Sequence, residues 1–132
     1  MNNNKKLIQK LKKDYQNVLK EWVEESQEES IKFFKKSFDP PAGFTDDTLI
    51  RWKRRKIAKP WSIMNKTGRL KNSIKKMGRN KWSFTIGSDV SYAKYHNEGT
   101  DRLPKRQFIG NSKKLIKLLE RNLYKKIYRI FR

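Results

Sequence analysis

The chain has 132 residues, with 34 Lys and Arg against 13 Asp and Glu, a formal net charge of +21, and no cysteine. That length allows one domain with a modest core, the charge predicts adhesion to polyanions, and the absence of thiols excludes disulfides and thiolate metal sites. Hydrophobic residues are 35% and charged residues 36%, while four Trp, five Tyr and seven Phe supply the large packing surfaces that disordered chains lack. The excess charge fits contact with DNA or an acidic protein surface, and fits equally a compositional preference for Lys, Asn and Ile. The stretch Met1 to Lys6 is followed by no unbroken apolar run, so no secretory signal is expected, and nothing approaches the roughly 20 apolar residues of a membrane span. A soluble protein without membrane contact is the expectation.

In chain order, residues 5–37 read as one long helix. Leu7, Leu11, Tyr15, Val18, Trp22 and Val23 form an apolar stripe at helical spacing, continued by Ile31, Phe34 and Phe38. Glu21, Glu24, Glu25, Glu28 and Glu29 interrupt it with more than a third of the 13 acidic residues. This patch reads either as a docking surface for a basic face of a neighbouring copy or as a solvated helix face. Pro40-Pro41 then ends the helix. In the connector, 39–66, the run Leu49 to Lys56 reads as a short helix with a basic cluster, and a further strand is an alternative there. Thr67 reads as the N-cap of a short helical turn with Leu70 inward.

Ile74–Met77 and Trp82–Ser88 flank a Gly78-Arg79-Asn80 turn, with Trp82, Phe84 and Ile86 alternating toward a core shared with Leu119 and Leu123. Tyr92, Tyr95 and His96 have the spacing of a short helix, with Gly99 at a left-handed C-terminal position. Pro104 confines Leu103–Phe108 to an edge strand or extended arm. Lys113–Arg132 reads as a closing helix capped by Asn111 or Ser112. Its stripe of Ile116, Leu119, Leu123, Ile127 and Ile130 is widened by Leu115, Tyr124 and Phe131. The predicted fold is a single α+β domain over 1–132, with both long helices packed on a small, mainly antiparallel sheet formed within 67–110.

No catalytic constellation emerges. His96 is the only histidine, Glu98 lies two residues away on a different helix face, and a zinc site needs about three protein ligands. No phosphate-cradling glycine loop precedes a helix. The expectation is a non-enzyme without metal or cofactor. Arg51, Lys53, Arg54, Arg55 and Lys56 are candidates for sequence-independent phosphate contact, with Trp52 stacking on a base or packing inward; a solvated basic loop is the alternative.

Three segments in order carry a resemblance: Thr67-Gly68-Arg69-Leu70-Lys71-Asn72-Ser73-Ile74, then Ile86-Gly87-Ser88-Asp89-Val90-Ser91-Tyr92-Ala93-Lys94-Tyr95-His96-Asn97-Glu98-Gly99, then Arg106-Gln107-Phe108-Ile109-Gly110. Together they resemble the phage virion-morphogenesis, or tail completion, family, which helps to finish the tail or the head–tail joint. The connector departs from that pattern, because Gly43 and Trp52 stand too far apart for the Gly-x-x-Trp-x-Pro-Leu-like segment that members often carry. The resemblance implies a structural virion protein of the neck or tail end, tail terminators included, made in the host bacterial cytoplasm. It implies a homo-oligomeric ring, six-fold or twelve-fold, meeting other neck or tail proteins. Candidate interface residues are Glu24, Glu25, Glu28, Arg102, Leu103, Pro104, Arg106 and Phe108, with the glutamates set against a neighbour's Arg51–Lys56. A free-standing basic nucleic-acid-binding protein is the alternative function.

Overall fold

A computed structural model describes residues 2–131; Met1 and Arg132, the last residue of the expected closing helix, lie outside the described residues. Helix α1 spans Asn3–Lys35. Asn2 caps it, its carboxamide oxygen accepting the Lys5 N–H at 2.8 Å, which satisfies one of the free donors of the first turn. A single 3-10 turn, Lys36–Phe38, carries the chain to the Asp39-Pro40-Pro41 stop.

The face that α1 buries changes along its length. Residues 2–10 are all exposed, whereas Val23, Ser26, Gln27, Ser30 and Phe34 are buried. The Gln27 amide donates at 3.0 Å to the carbonyls of both Gly78 and Thr85, so one side chain ties two strands to the helix.

The connector holds a hairpin, so the alternative of a strand there is met and the short basic helix does not form. Strand β1 (Gly43–Thr45) pairs antiparallel with β2 (Leu49–Arg51), in the register Phe44 opposite Ile50. The pairing seats Phe44 in the core, and Trp52 follows it inward as its backbone N–H reaches the Ala42 carbonyl at 3.0 Å. Gly43 is required here, because a Cβ would run into the Ile50 carbonyl.

Helix α2 (Arg69–Asn72) is entered through Gly68 at φ 74°, and the Thr67 hydroxyl accepts the Arg69 N–H at 3.3 Å. Leu70 is buried, as expected. Strands β3 (Lys75–Arg79) and β4 (Phe84–Gly87) form the second antiparallel hairpin, with a register shift between Lys76 and Gly78. Its turn lies later than Gly78–Asn80. The Asn80 side-chain oxygen accepts the N–H groups of Trp82 and Ser83 at 2.9 and 2.8 Å. β4 therefore starts at Phe84, and Trp82 stands in the turn, 65% exposed instead of in the core. Ile86 packs against the core and Phe84 is half-buried.

Helix α3 (Ala93–Glu98) ends at Gly99, whose φ of 78° is positive as expected but whose ψ of 164° is extended, not left-handed helical. A Cβ there would meet the Lys105 backbone. Residues 103–108 form no strand; the Arg106 and Phe108 N–H groups bond to α3, and the Gln107 carbonyl accepts the Trp52 indole N–H. Helix α4 (Lys113–Ile130) is capped by Ser112, whose hydroxyl accepts the Leu115 N–H at 3.2 Å and donates to the Thr45 carbonyl at 2.6 Å.

The architecture is α+β, with two separate two-stranded sheets. α4 runs along α1, and α1 in turn carries the β3–β4 hairpin. The core gathers Phe34, Phe38, Phe44, Trp52, Leu70, Ile74, Val90, Ala93, Phe108 and Leu115. Leu119, Leu123, Ile127 and Ile130 of the expected α4 stripe are half-buried, but Ile116, Tyr124 and Phe131 are exposed and Lys126 is buried.

Candidate functional site

The three motif segments converge. At the end of α3 the Asn97 side-chain oxygen accepts the N–H groups of Phe108 and Ile109 at 2.8 and 3.0 Å, while its amide donates to the Ile109 carbonyl at 3.1 Å. The Arg106 N–H reaches the His96 carbonyl at 2.9 Å. The Ser73 and Ser88 hydroxyls share a hydrogen bond, and the Ser88 hydroxyl also accepts the Val90 N–H at 3.2 Å. Asn97 thus acts as a clip, satisfying groups that would otherwise be paired in a sheet. It carried no signal beyond its place in a motif. The His96 ring lies edge-on to Tyr92, 5.8 Å between centroids. Burial, and then the nearby Arg106 guanidinium, lower its pKa below the ordinary 6.5.

The expected interface residues of this arm separate. Phe108 is 1% exposed and belongs to the core, so it offers no ring to a partner. The Arg106 guanidinium turns back to the Lys53 carbonyl, with its Nε at 3.0 Å and Nη2 at 2.8 Å. Burial, then Arg55, lower the Arg106 pKa. Arg102 and Leu103 are exposed and Pro104 is half-buried, leaving the tip of the arm as its free surface.

The basic connector separates as well. Trp52 is buried, its indole N–H donating to the Gln107 carbonyl at 2.7 Å, so it packs inward and stacks on no ligand. Arg55 donates to the carbonyls of Lys59, Trp61 and Ser62 and pins its own loop. Arg51, Lys53, Arg54 and Lys56 remain exposed.

The glutamates of α1 meet cations of the same chain. Lys126 lies 3.1 Å from Glu21 and 2.9 Å from Glu25, Arg79 lies 3.4 Å from Glu24, and Lys76 lies 3.2 Å from Glu28. Burial opposes the charge of Lys126, but the Glu25 and Glu21 carboxylates outweigh it and raise its pKa. Hydrogen bonding to Lys126 and its charge hold Glu21 below its ordinary value. The patch is therefore partly neutralised within one copy.

Apolar and basic surface remains in the connector, where Ile50 and Ile57 are exposed beside its cations, and at three further places. The first ten residues of the α1 helix region expose Leu7 and Ile8. Trp82 borders a cleft of about 460 Å³ between α1 and the β3–β4 turn, lined also by Leu19, Val23 and Lys81. The outer face of α4 exposes Tyr124, Tyr128 and Phe131, and its first turns border a cleft of about 610 Å³ with Lys36, Lys114, Lys117 and Arg121. Among the described residues no cluster of His, Cys, Asp or Glu is placed to hold a metal ion, and no helix is long and apolar enough to cross a membrane. No family of known proteins, no curated protein and no solved structure matches the chain.

Proposed function

We propose that the chain is a structural, non-enzymatic component of a tailed-phage neck or tail end, a completion or terminator protein that assembles as a homo-oligomeric ring. The observation that carries this reading is the convergence of the three family-like segments. Residues 67–74, 86–99 and 106–110, separated by a hairpin turn and a short loop, hold one another through Ser73–Ser88, His96–Arg106 and Asn97–Ile109.

Ring formation draws support from surface that a single copy leaves bare. α1 runs on past Tyr15, which meets Phe131 beyond the last residue of α4 with ring centroids 6.2 Å apart. The stretch from Asn3 to Asp14 is roughly 18 Å long at 1.5 Å per residue. A helical end of that length is marginal in water without a partner along its Leu7, Ile8 and Leu11 side, and head-to-tail contacts that close supply such a partner in every copy. The exposed Trp82 beside its cleft offers a second anchor of the kind that dominates interfaces.

Electron microscopy of the purified protein at high salt tests the reading. A closed ring, six-fold or twelve-fold, supports it, and dispersed monomers overturn it. Trp82→Ala and Leu7→Glu/Ile8→Glu should reduce the ring fraction and leave the dilute, unassembled protein folded as the parent is, by circular dichroism.

The alternative of a free-standing nucleic-acid-binding protein loses the stacking residue once assigned to it, since Trp52 is in the core. What remains in the connector is a set of exposed cations.

A further inference from the structure

Helix α4 mixes aromatic rings and cations on one face instead of segregating them. At 3.6 residues per turn, Lys114, Arg121, Tyr124, Lys125 and Tyr128 fall within roughly a 100° sector of the helix. Tyr124 is 67% exposed and Tyr128 72%. Of the other cations of the helix, Lys113 and Lys117 each lie 3.6 Å from Asp47, Lys126 is turned inward between Glu21 and Glu25, and Arg129 falls outside the sector on the side of Glu21. Lys114, Arg121 and Lys125 form no ion pair among the described residues. Lys114 and Arg121 also border the 610 Å³ cleft that Lys36 lines from the other side, so the basic surface runs past the helix.

The choice of occupant follows from this interleaving. A helix lying in a membrane interface puts its apolar residues on one face and its charges on the other; here, sinking the two rings would drag three cations with them. A second copy of this chain has few carboxylates to set against these cations, because Glu21, Glu24, Glu25 and Glu28 already meet cations of their own chain. A nucleic-acid strand meets both chemistries at once, its phosphates taking the cations and its base faces taking the rings. Tyr124 and Tyr128 are four residues apart, about 6 Å along the axis, which lets each receive one of two splayed bases.

We infer that the outer face of α4 is a contact for single-stranded nucleic acid, with Tyr124 and Tyr128 as stacking rings and Lys114, Arg121 and Lys125 as phosphate partners. This does not depend on the assembly reading, because neither Leu7, Ile8 nor Trp82 belongs to the surface.

The test is fluorescence anisotropy with a labelled oligothymidine of about 16 nucleotides, inside the usual range of single-strand site sizes, beside a duplex of equal length. Tyr124→Ala/Tyr128→Ala should weaken single-strand binding by about tenfold or more, with the salt slope and duplex binding little changed. Tyr124→Phe/Tyr128→Phe keeps the rings and should bind as the parent does. Arg121→Gln/Lys125→Gln should weaken both ligands and flatten the slope of log affinity against log salt by roughly 1.4 for the single strand. Single-strand affinity unchanged by the alanine pair overturns the inference. So does a changed oligomer size for that pair, which would assign the face to contact between copies, and so does ring-dependent capture by phosphatidylserine vesicles in place of the oligonucleotide.

Discussion

Around Phe38, ring meets ring. Its centroid lies 5.2 Å from that of Trp52 and 5.3 Å from that of Phe108, and it is completely buried. Around Lys126, in the stem where the middle of α1 meets α4, the contacts are of another kind. An ammonium sits between two half-exposed carboxylates, the Trp22 indole donates to the Leu119 carbonyl at 2.8 Å, and the flanking Val18, Leu123, Ile127 and Ile130 are only half-buried. The Phe38 end gains by removing large apolar surfaces from water. The stem gains from partly solvated ion pairs and leaves its apolar residues half in contact with solvent. A chain of this size has enough core for one of these ends. The other is better suited to being completed by something else.

The sharpest way to break this contrast is at its packed end. Phe38→Ala should cost about 3–5 kcal/mol, because the cavity lies among aromatic rings that cannot collapse into it; urea titration of the variant measures it. If the loss is under 1 kcal/mol, the packed end is not the seat of stability. Asn97→Ala comes next, at about 2–3 kcal/mol, since it strands the Phe108 and Ile109 N–H groups together. Asn97→Asp keeps the acceptor and loses only the donor to Ile109, so a smaller loss in the same titration would confirm the clip.

In the stem, Lys126→Met should cost only about 1 kcal/mol, because both carboxylates can be rehydrated. The pH dependence follows from the shifts. The lowered Glu21 value makes its contribution present above its ordinary 4.5 and lost as pH falls through the lower folded value. The raised Lys126 value makes its contribution present below 10.5 and lost only as pH rises past the higher folded value. Melting temperature against pH should therefore lose part of its acid slope in Lys126→Met.

The smallest effect is expected at His96. Its lowered value means that the unfolded chain takes up a proton more readily than the folded one, so stability falls as pH drops below 6.5. His96→Gln should flatten the melting-temperature profile between about pH 7 and pH 5. A profile identical to the parent's would remove the burial of His96 from the account.

The elements with strong periodicity could be read from the sequence. The stripe from Leu7 to Phe38 announced α1, Ser112 announced the start of α4, and the alternation near Phe84 announced a hairpin. Long-range arrangements could not be read so readily. Trp82 alternates correctly with Phe84 and Ile86, but the Asn80 side chain draws the turn forward and leaves the ring outside. Leu49 to Arg51 sits in a basic run that favours no strand by itself; Phe44, packed in the core, selects it as a pairing partner. Lys126 is the clearest case. A lysine inside an amphipathic helix reads as surface, and only the approach of Glu21 and Glu25 from about a hundred residues away makes its burial tolerable. For the same reason, the acidic patch could be recognised in the sequence while its intramolecular partners could not.

The measurement that bears most directly on the contrast is native-state hydrogen exchange at two protein concentrations, at about 0.5 M salt so that charge-driven clustering is screened. Amides of residues 34–38, 70–74 and 108–109 should be protected equally at both concentrations, because their packing is complete within one copy. Amides of residues 3–14 should exchange freely when dilute and become protected when concentrated, as assembly gives that end of α1 a partner. Protection of residues 3–14 that is strong and independent of concentration, or absent at both concentrations, would contradict the claim that this end awaits another copy.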